Sequence, residues 1–285
     1  MIEVKNLDYT YPGKTKPTIK EVNFNVEKGE IFGFLGPSGA GKSTIQKIII
    51  GILKGYQGQV RVMGENINQI NSNYYENIGV SFELPNLYTK FSAMENLSFF
   101  RSLYSGKTND PIQLLESVGL GEHRNTKVSK FSKGMKMRLN FCRAFLNDAD
   151  LIFLDEPTSG LDPTNARLVK EIILEKQREG KTILITTHNM NVADEICNRV
   201  AFIVDGQVAL IDTPRYLKLQ YGKKQLRLEY IKNNRTEAED FILKGIGKNQ
   251  RFLELLKSEQ IERMHTQEAT LEDIFIKVTG QYLDK

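Results

Sequence analysis

The chain has 285 residues, of which 40% are hydrophobic, and a net charge of +4 from 39 basic and 35 acidic side chains. That is enough for one large domain with a proper core and a smaller one beside it. The charge is too mild and too dispersed to argue for nucleic acid, and two cysteines, Cys142 and Cys197, argue against a disulfide framework and fit a reducing cytosol.

The opening "MIEVKNLDYT" lacks the charged, apolar, small-residue order of a signal peptide, and the longest apolar run, "IIIGIL" at 48–53, is too short to span a bilayer. The expectation is a soluble chain with no direct membrane insertion. If it works at a membrane, another chain must hold it there.

In chain order, the N-terminal part reads as strands. "VNFNV" alternates apolar Val22, Phe24 and Val26 with polar residues, and "GEIFGFLG" is a more buried strand ending at Gly36. A helix is predicted from Ser43 to Leu53, closed by Gly55, and "GQVRVMGENI" reads as a hairpin arm. From Leu84 to Phe145 the apolar spacing is mainly helical. "ADLIFLDEP" is a continuous apolar run ended by two acids, as a buried parallel strand requires.

"NARLVKEIILEKQREG" then reads as an amphipathic helix, and "KTILITTH" and "NRVAFIVDGQV" as strands. Strands alternating with helices predict an α/β domain over 1–215. Past "DTP" at 212–214, residues 216–285 read as a small α+β domain: strands "QLRLEYI" and "IERMH", helices "NQRFLELLKS" and "TLEDIFIKVTG".

"GPSGAGKST", Gly36 to Thr44, fits G-x-x-x-x-G-K-[ST] between a strand and a helix. Gly36, Gly39 and Gly41 let the backbone curl so that amides from Ser38 through Ala40 to Thr44 turn toward phosphate, and the helix offers its positive end to the same anion. Lys42 is the mobile cation for β and γ phosphates, and the Ser43 hydroxyl is a natural Mg2+ ligand. In "LIFLDEP", Asp155 would hold Mg2+ and Glu156 would orient and deprotonate the attacking water.

His188 follows "ILITT", at the edge where α/β sheets bind ligands. His123 and His265 read as surface or packed histidines. In "FSKGM", residues 131–135, Ser132 and Gly134 precede an amphipathic helix whose stripe is Met135, Leu139, Cys142 and Leu146. Taken alone, Ser132 reads as an ordinary helix cap. A hydroxyl, a glycine backbone and a helix N-terminus also make a second phosphate-binding surface, which makes sense if it serves the nucleotide of another copy.

The order of these motifs resembles that of the ATP-binding subunits of ABC transporters. "GPSGAGKST" is similar to their Walker A, "FSKGM" to their signature, "LIFLDE" to their Walker B, "SGLD" at 159–162 to their D-loop, and His188 to their switch histidine. The resemblance covers roughly residues 1–215. It implies a P-loop NTPase core of the ABC type with an antiparallel β arm and a helical subdomain over about 84–145. ATP and Mg2+ are the ligands it implies, with Tyr11 stacked on adenine and a second ATPase subunit, identical or closely related, paired head to tail.

In that pairing Ser132 and Gly134 of one copy close on the γ-phosphate held by the other. The chain departs from the pattern at Lys133, where glycine is usual, and at Met135, where glutamine is usual. A third departure is Glu83 in "SFELP", where the family has a metal-reaching glutamine. Glu83 is expected still to ligate the metal, with slower or more pH-sensitive hydrolysis.

The tail "ATLEDIFIKVTG", 269–280, resembles the ABC-2 exporter branch, which includes drug and antibiotic self-resistance, sodium-efflux and lantibiotic-immunity pumps. The implied partner is a polytopic membrane permease docked on residues 84–120, and the implied place is the inner face of the cell membrane. Two other readings are a soluble ABC ATPase that remodels a nucleic-acid or ribosomal partner, and a regulatory subunit that scarcely hydrolyses ATP.

Overall fold

The structure is a computed structural model that describes residues 1–222, 224–233, 235–267 and 269–282. The described chain separates into two units, residues 1–214 with 281–282, and residues 215–280.

The first unit opens with β1 (Ile2–Tyr9) and β2 (Ile19–Val26), whose alternating burial matches their alternating sequence. Next come β3 (Ile31–Leu35), α1 (Lys42–Ile49), β4 (Gln57–Val62), β5 (Glu65–Asn66), α2 (Ser72–Glu76) and β6 (Ile78–Ser81). The helical stretch holds α3 (Ala93–Arg101), α4 (Pro111–Ser117) and α5 (Lys133–Arg143). Then follow β7 (Leu151–Asp155), α6 (Pro163–Arg178), β8 (Thr182–Thr187), α7 (Met190–Ile196), β9 (Arg199–Val204) and β10 (Gln207–Asp212).

Two sheets result. The antiparallel arm has the order β2-β1-β4-β5, and the central sheet the order β10-β9-β3-β8-β7-β6. In the central sheet β9, β3, β8, β7 and β6 run parallel, and β10 is an antiparallel edge. Every residue of β3, β7 and β8 is buried, which is why these segments are runs of Ile, Leu and Phe rather than alternating sequences. A core containing Phe24, Phe32, Phe34, Ile45, Ile49, Phe153 and Leu184 joins the arm to the sheet.

The register decides where the chemistry can be. Leu35 of β3 lies beside Thr187 of β8, Thr186 beside Asp155 of β7, and Leu154 beside Ser81 of β6. Four adjacent strands therefore deliver their next residues, Gly36, His188, Glu156 and Phe82, to one edge. Brought together there are the phosphate loop, the acidic pair, the histidine and the segment that carries Glu83.

Two features differ from the sequence expectation. Helix α1 ends at Ile49, not at Leu53. The amide of Gly51 donates to Ile48 O at 2.9 Å and that of Ile52 to Lys47 O at 2.9 Å, so the first glycine, not Gly55, completes the terminating turn. The second is a strand, β12 below, that the sequence reading left out.

The second unit contains α8 (Pro214–Tyr221, its first residue belonging to the first unit), β11 (Gln225–Lys232), β12 (Arg235–Ile242), α9 (Gln250–Ser258), β13 (Gln260–Gln267) and α10 (Leu271–Thr279). Its antiparallel sheet has the order β12-β11-β13 and packs Leu228, Tyr230 and Phe241 with Phe252 and Leu255 of α9. Strand β12, "RTEAEDFI", escapes a sequence reading because it is an edge strand with one buried residue, Phe241.

One contact fixes how the helical stretch meets the sheet. A β-carbon on Gly79 of β6 would stand 1.9 Å from Ala144 O, just past the end of α5. Gly79→Ala must therefore push α5 off the sheet, and is expected to destabilise the protein by about 2 kcal/mol or more, read as a lowered urea midpoint. An unchanged midpoint would mean that the approach is not tight.

Candidate nucleotide-binding site

Strand β3 turns through Gly36 into a loop whose Ser38 and Gly39 are exposed and whose Ala40, Gly41, Lys42 and Thr44 are buried. Gly41 caps α1 with φ 105° and supplies no side-chain hydrogen bond to the helix start. The conformation suits glycine, and a β-carbon there would also meet Ile19 Cδ1 at 2.7 Å. The first amides of α1 thus keep their donors for an external anion.

Lys42 is 7% exposed and folds back on its own loop, its Nζ donating to Gly36 O at 2.6 Å and Pro37 O at 2.9 Å. Burial pushes its pKa below the ordinary lysine value, against the opposing pull of the Glu156, Asp155 and Glu83 carboxylates.

Ser43 Oγ donates to Asp155 Oδ1 at 3.1 Å, and Thr186 Oγ1 donates to the same oxygen. Glu156 follows Asp155 in a left-handed backbone conformation, φ 50°, held by its amide bond to Thr186 O at 3.0 Å. A non-glycine residue so placed is strained, and that strain turns the carboxylate back along β8. There its Oε2 accepts from Thr187 Oγ1 at 3.1 Å. Its Oε1 accepts from the His188 amide at 2.9 Å and lies 2.8 Å from His188 Nδ1. Glu156 is 7% exposed, whereas His188 is exposed.

Tyr11 lies half-buried beside the loop, with its hydroxyl 3.2 Å from Thr44 Oγ1 and its ring edge-on to Tyr9 at 5.0 Å. Ser132 and Gly134 stand at the start of α5, where a β-carbon on Gly134 would meet Leu161 Cδ2 at 3.6 Å and Gly160 O at 3.8 Å. Ser132 Oγ accepts from the Met135 amide at 3.2 Å, the cap that the sequence permits, and this leaves the hydroxyl proton for another acceptor.

The Lys133 side chain lies across Gly160, its Cε 3.0 Å from where a β-carbon would stand. Glu83 is exposed. With Leu84 and Pro85 it forms one side of a cavity of about 280 Å3 closed by Lys133, Lys136, Met137 and Ser159. The unusual acid and the unusual lysine of the two motifs thus share one cavity.

Three participants were missed in the sequence. Thr186 and Thr187, part of an apparently structural strand, hold the two acids. Asn140, inside the apolar face of α5, donates to Ser81 Oγ and Phe82 O. The available signal was a carboxamide among Met137, Leu139, Phe141 and Cys142, where a helix face that only packed would be apolar. Both thiols are buried, their pKa pushed up to about 12, and take no part.

The donor set suits Mg2+, which takes hard oxygen ligands, few of them from protein when phosphates supply the rest. Ser43 and Asp155 provide such oxygens, and among the described residues no cluster of three His, Cys, Asp or Glu competes for a softer metal.

Residues 19–159 match the ABC transporter family model, and residues 224–268 match a model described as the fluoroquinolone efflux ABC transporter C-terminal domain. The chain is 48% identical over 284 residues to a fluoroquinolones export ATP-binding protein of Mycobacterium tuberculosis, covering 99% of this chain and 94% of that one. It is 34% identical over 210 residues to a lantibiotic transport ATP-binding protein of Streptococcus pyogenes, covering 74% and 90%. Among solved structures it is similar to a dimeric ATP-binding cassette in a post-hydrolysis state bound to ADP and Pi. That match has TM-score 0.68 and 28% identity, and covers 75% of this chain and 98% of that one.

The depressed Lys42 pKa has a sign that can be checked. The cost of burying the ammonium is fully present below the depressed folded pKa and disappears as pH rises through it toward the ordinary lysine value near 10.5. The nucleotide-free protein should therefore gain stability with rising alkaline pH relative to Lys42→Ala, and ATP should raise the melting temperature of the wild type but not of the variant. Parallel pH slopes, or equal protection by ATP, would contradict this role.

Proposed function

The chain belongs to the ATP-binding subunits of ABC transporters and is an ABC-type ATPase, and from that premise we propose that it powers an exporter of the ABC-2 type. The observation that carries the mechanism is the split constellation. A phosphate loop with its acids and histidine sits at one sheet edge, while Ser132, with Gly134, opens a separate helix, α5, as its cap.

Two copies, or this chain and a close relative, pair head to tail on two ATP molecules in this reading, as expected of an ABC cassette. Tyr11 stacks on adenine. Lys42 leaves Gly36 O and Pro37 O for the β and γ phosphates, and amides from Gly36, Ser38, Gly39, Ala40, Gly41, Ser43 and Thr44 complete the cradle. Ser43, Asp155 and Glu83 would hold Mg2+, which would neutralise charge on the phosphoryl oxygens.

Glu156, already turned by its backbone and fixed by Thr187, accepts a proton from the attacking water, and His188 contacts the γ-phosphate. Ser132 and Gly134 of the partner close over that phosphate. Closure on ATP and opening after hydrolysis are two states whose difference does work on another chain.

No helix among the described residues is long and apolar enough to cross a membrane. In this reading a polytopic permease holds the subunit at the inner face of the membrane, as the export ATP-binding relatives suggest. Its docking surface is the aromatic group of the helical stretch, where Tyr88, Phe91 and Phe99 are exposed and Tyr88 contacts both phenylalanines within 5.3 Å. We assign residues 1–215 to the ATPase domain, 84–145 within it to the helical subdomain, and 216–285 to an accessory domain that stabilises the dimer.

The test is affinity purification from gently solubilised native membranes. A near-stoichiometric polytopic membrane protein is expected, and its recovery should fall about tenfold or more with Tyr88→Asp/Phe99→Asp, since a cluster of this kind contributes a hot spot. Ribosomal or DNA-repair proteins in its place would favour a soluble remodelling ATPase. Recovery unaffected by the double variant would move the docking surface elsewhere.

A further inference from the structure

The segment that carries Glu83 is gripped by one helix. Asn140 of α5 is 1% exposed. Its Nδ2 donates to Ser81 Oγ at 2.9 Å and to Phe82 O at 2.7 Å, the residue immediately before Glu83. Three positions on, Arg143 donates to Asn86 O at 3.1 Å while its guanidinium stacks on Phe100, 3.7 Å from the ring centre. Behind both, Gly79 has no side chain because Ala144 O occupies that space. The segment is therefore fixed to α5 at Gly79, Ser81 and Phe82 before Glu83 and at Asn86 beyond it.

The other end of α5 is the turn that begins at Ser132 and holds Gly134, with Lys133 lying over Gly160. An α-helix advances about 1.5 Å per residue, so Asn140 stands roughly 10 Å down a rigid rod from that turn. Burying a carboxamide among Met137, Leu139, Phe141 and Cys142 has no packing rationale, because an aliphatic side chain would fill the space without a polar group to satisfy. What the amide adds is two directed bonds to the base of the Glu83 segment.

We propose that Asn140 is a positioning residue for ATP hydrolysis, tying Glu83 to the helix whose first turn offers Ser132 and Gly134 to a second nucleotide site. Engagement of that turn by a partner's nucleotide is then transmitted to the carboxylate in the same subunit. The inference rests on the reading of Glu83 as a group that acts on the bound nucleotide and its metal.

The experiment is a double-mutant cycle in the full-length protein with Asn140→Ala and Glu83→Ala, read by steady-state ATPase and by amide hydrogen exchange. Glu156→Gln is the blank. Asn140→Ala is expected to lower kcat about fivefold or more with KM for ATP within about twofold, and the loss should vanish in the Glu83→Ala background, where no side chain is left to position. Exchange at residues 82–87 should rise while that of the phosphate loop, 36–44, stays as in the wild type.

A kcat untouched by Asn140→Ala, or a loss that persists in the Glu83→Ala background, overturns the proposal. If Asn140→Ala does not fold, Ser81→Ala removes one of the two acceptors and should give a smaller loss with the same dependence on Glu83. An independent loss there also overturns it. Glu83→Gln alone reports on the underlying reading: an unchanged rate and pH profile would remove Glu83 from the site, whereas a changed rate with no coupling to Asn140 would remove only the tie.

Discussion

A lysine ammonium buried at the carboxyl edge of a parallel sheet is the constraint on which the rest of this structure depends. Lys42 has lost most of its water and is held by two carbonyls of its own loop while three carboxylates act on it from around the site. A charge in that position is costly unless it meets an anion, and the neighbouring amides of α1 are turned toward the same anion. The glycines, the reach of β3 and the placement of the acids all serve that one encounter. The acids are placed by strand order, since β7 must lie next to β8 for Thr186 and Thr187 to hold Asp155 and Glu156.

The second dependence runs through α5. Its first turn is a capped helix start exposed to solvent, and its last turns are welded to β6 and the segment beyond it. The helical stretch is thus no loose insertion. One rod links the turn at Ser132, the segment that carries Glu83 and, through Arg143 and Phe100, the aromatic group that includes exposed Tyr88 and Phe99. The departures from the family pattern fall along this rod. Lys133 covers Gly160, and Glu83 and Lys136 share a cavity with it, so charge introduced on one side is matched by charge on the other.

Much of the fold was legible because buried parallel strands and phosphate loops have steep local requirements. "IFGFL", "LIFLD" and "TILITT" are apolar on both faces for a reason that acts residue by residue, and the loop from Gly36 to Thr44 needs its glycines whatever surrounds it. The acids and His188 were legible for the same reason, being strand ends of one sheet. Other features depended on distant parts of the chain. Thr186 and Thr187 look like ordinary strand residues until β7 lies beside them, and Asn140 looks like a flaw in an apolar stripe until Phe82 is seen to accept its proton. The end of α1 was misplaced because both Gly51 and Gly55 can close a helix, and only the observed bonds to Lys47 and Ile48 choose between them. Strand β12 was unread because an exposed edge carries no burial signal.

The central claim is that each nucleotide site is completed by two copies of the chain, the cradle from one and the turn at Ser132 from the other. Mixing two inactive variants tests it most directly. Lys42→Ala lacks the cradle, and Ser132→Arg blocks the turn. Each homodimer then has two defective sites, but a mixed dimer has one site in which both halves are intact. The account predicts that ATPase activity, negligible in either variant alone, returns in an equimolar mixture toward about a quarter of the wild-type value, since half of the dimers are mixed and each of those has one of its two sites intact. A mixture no more active than its separate components would contradict the head-to-tail arrangement, and with it the role given to Ser132 and Gly134.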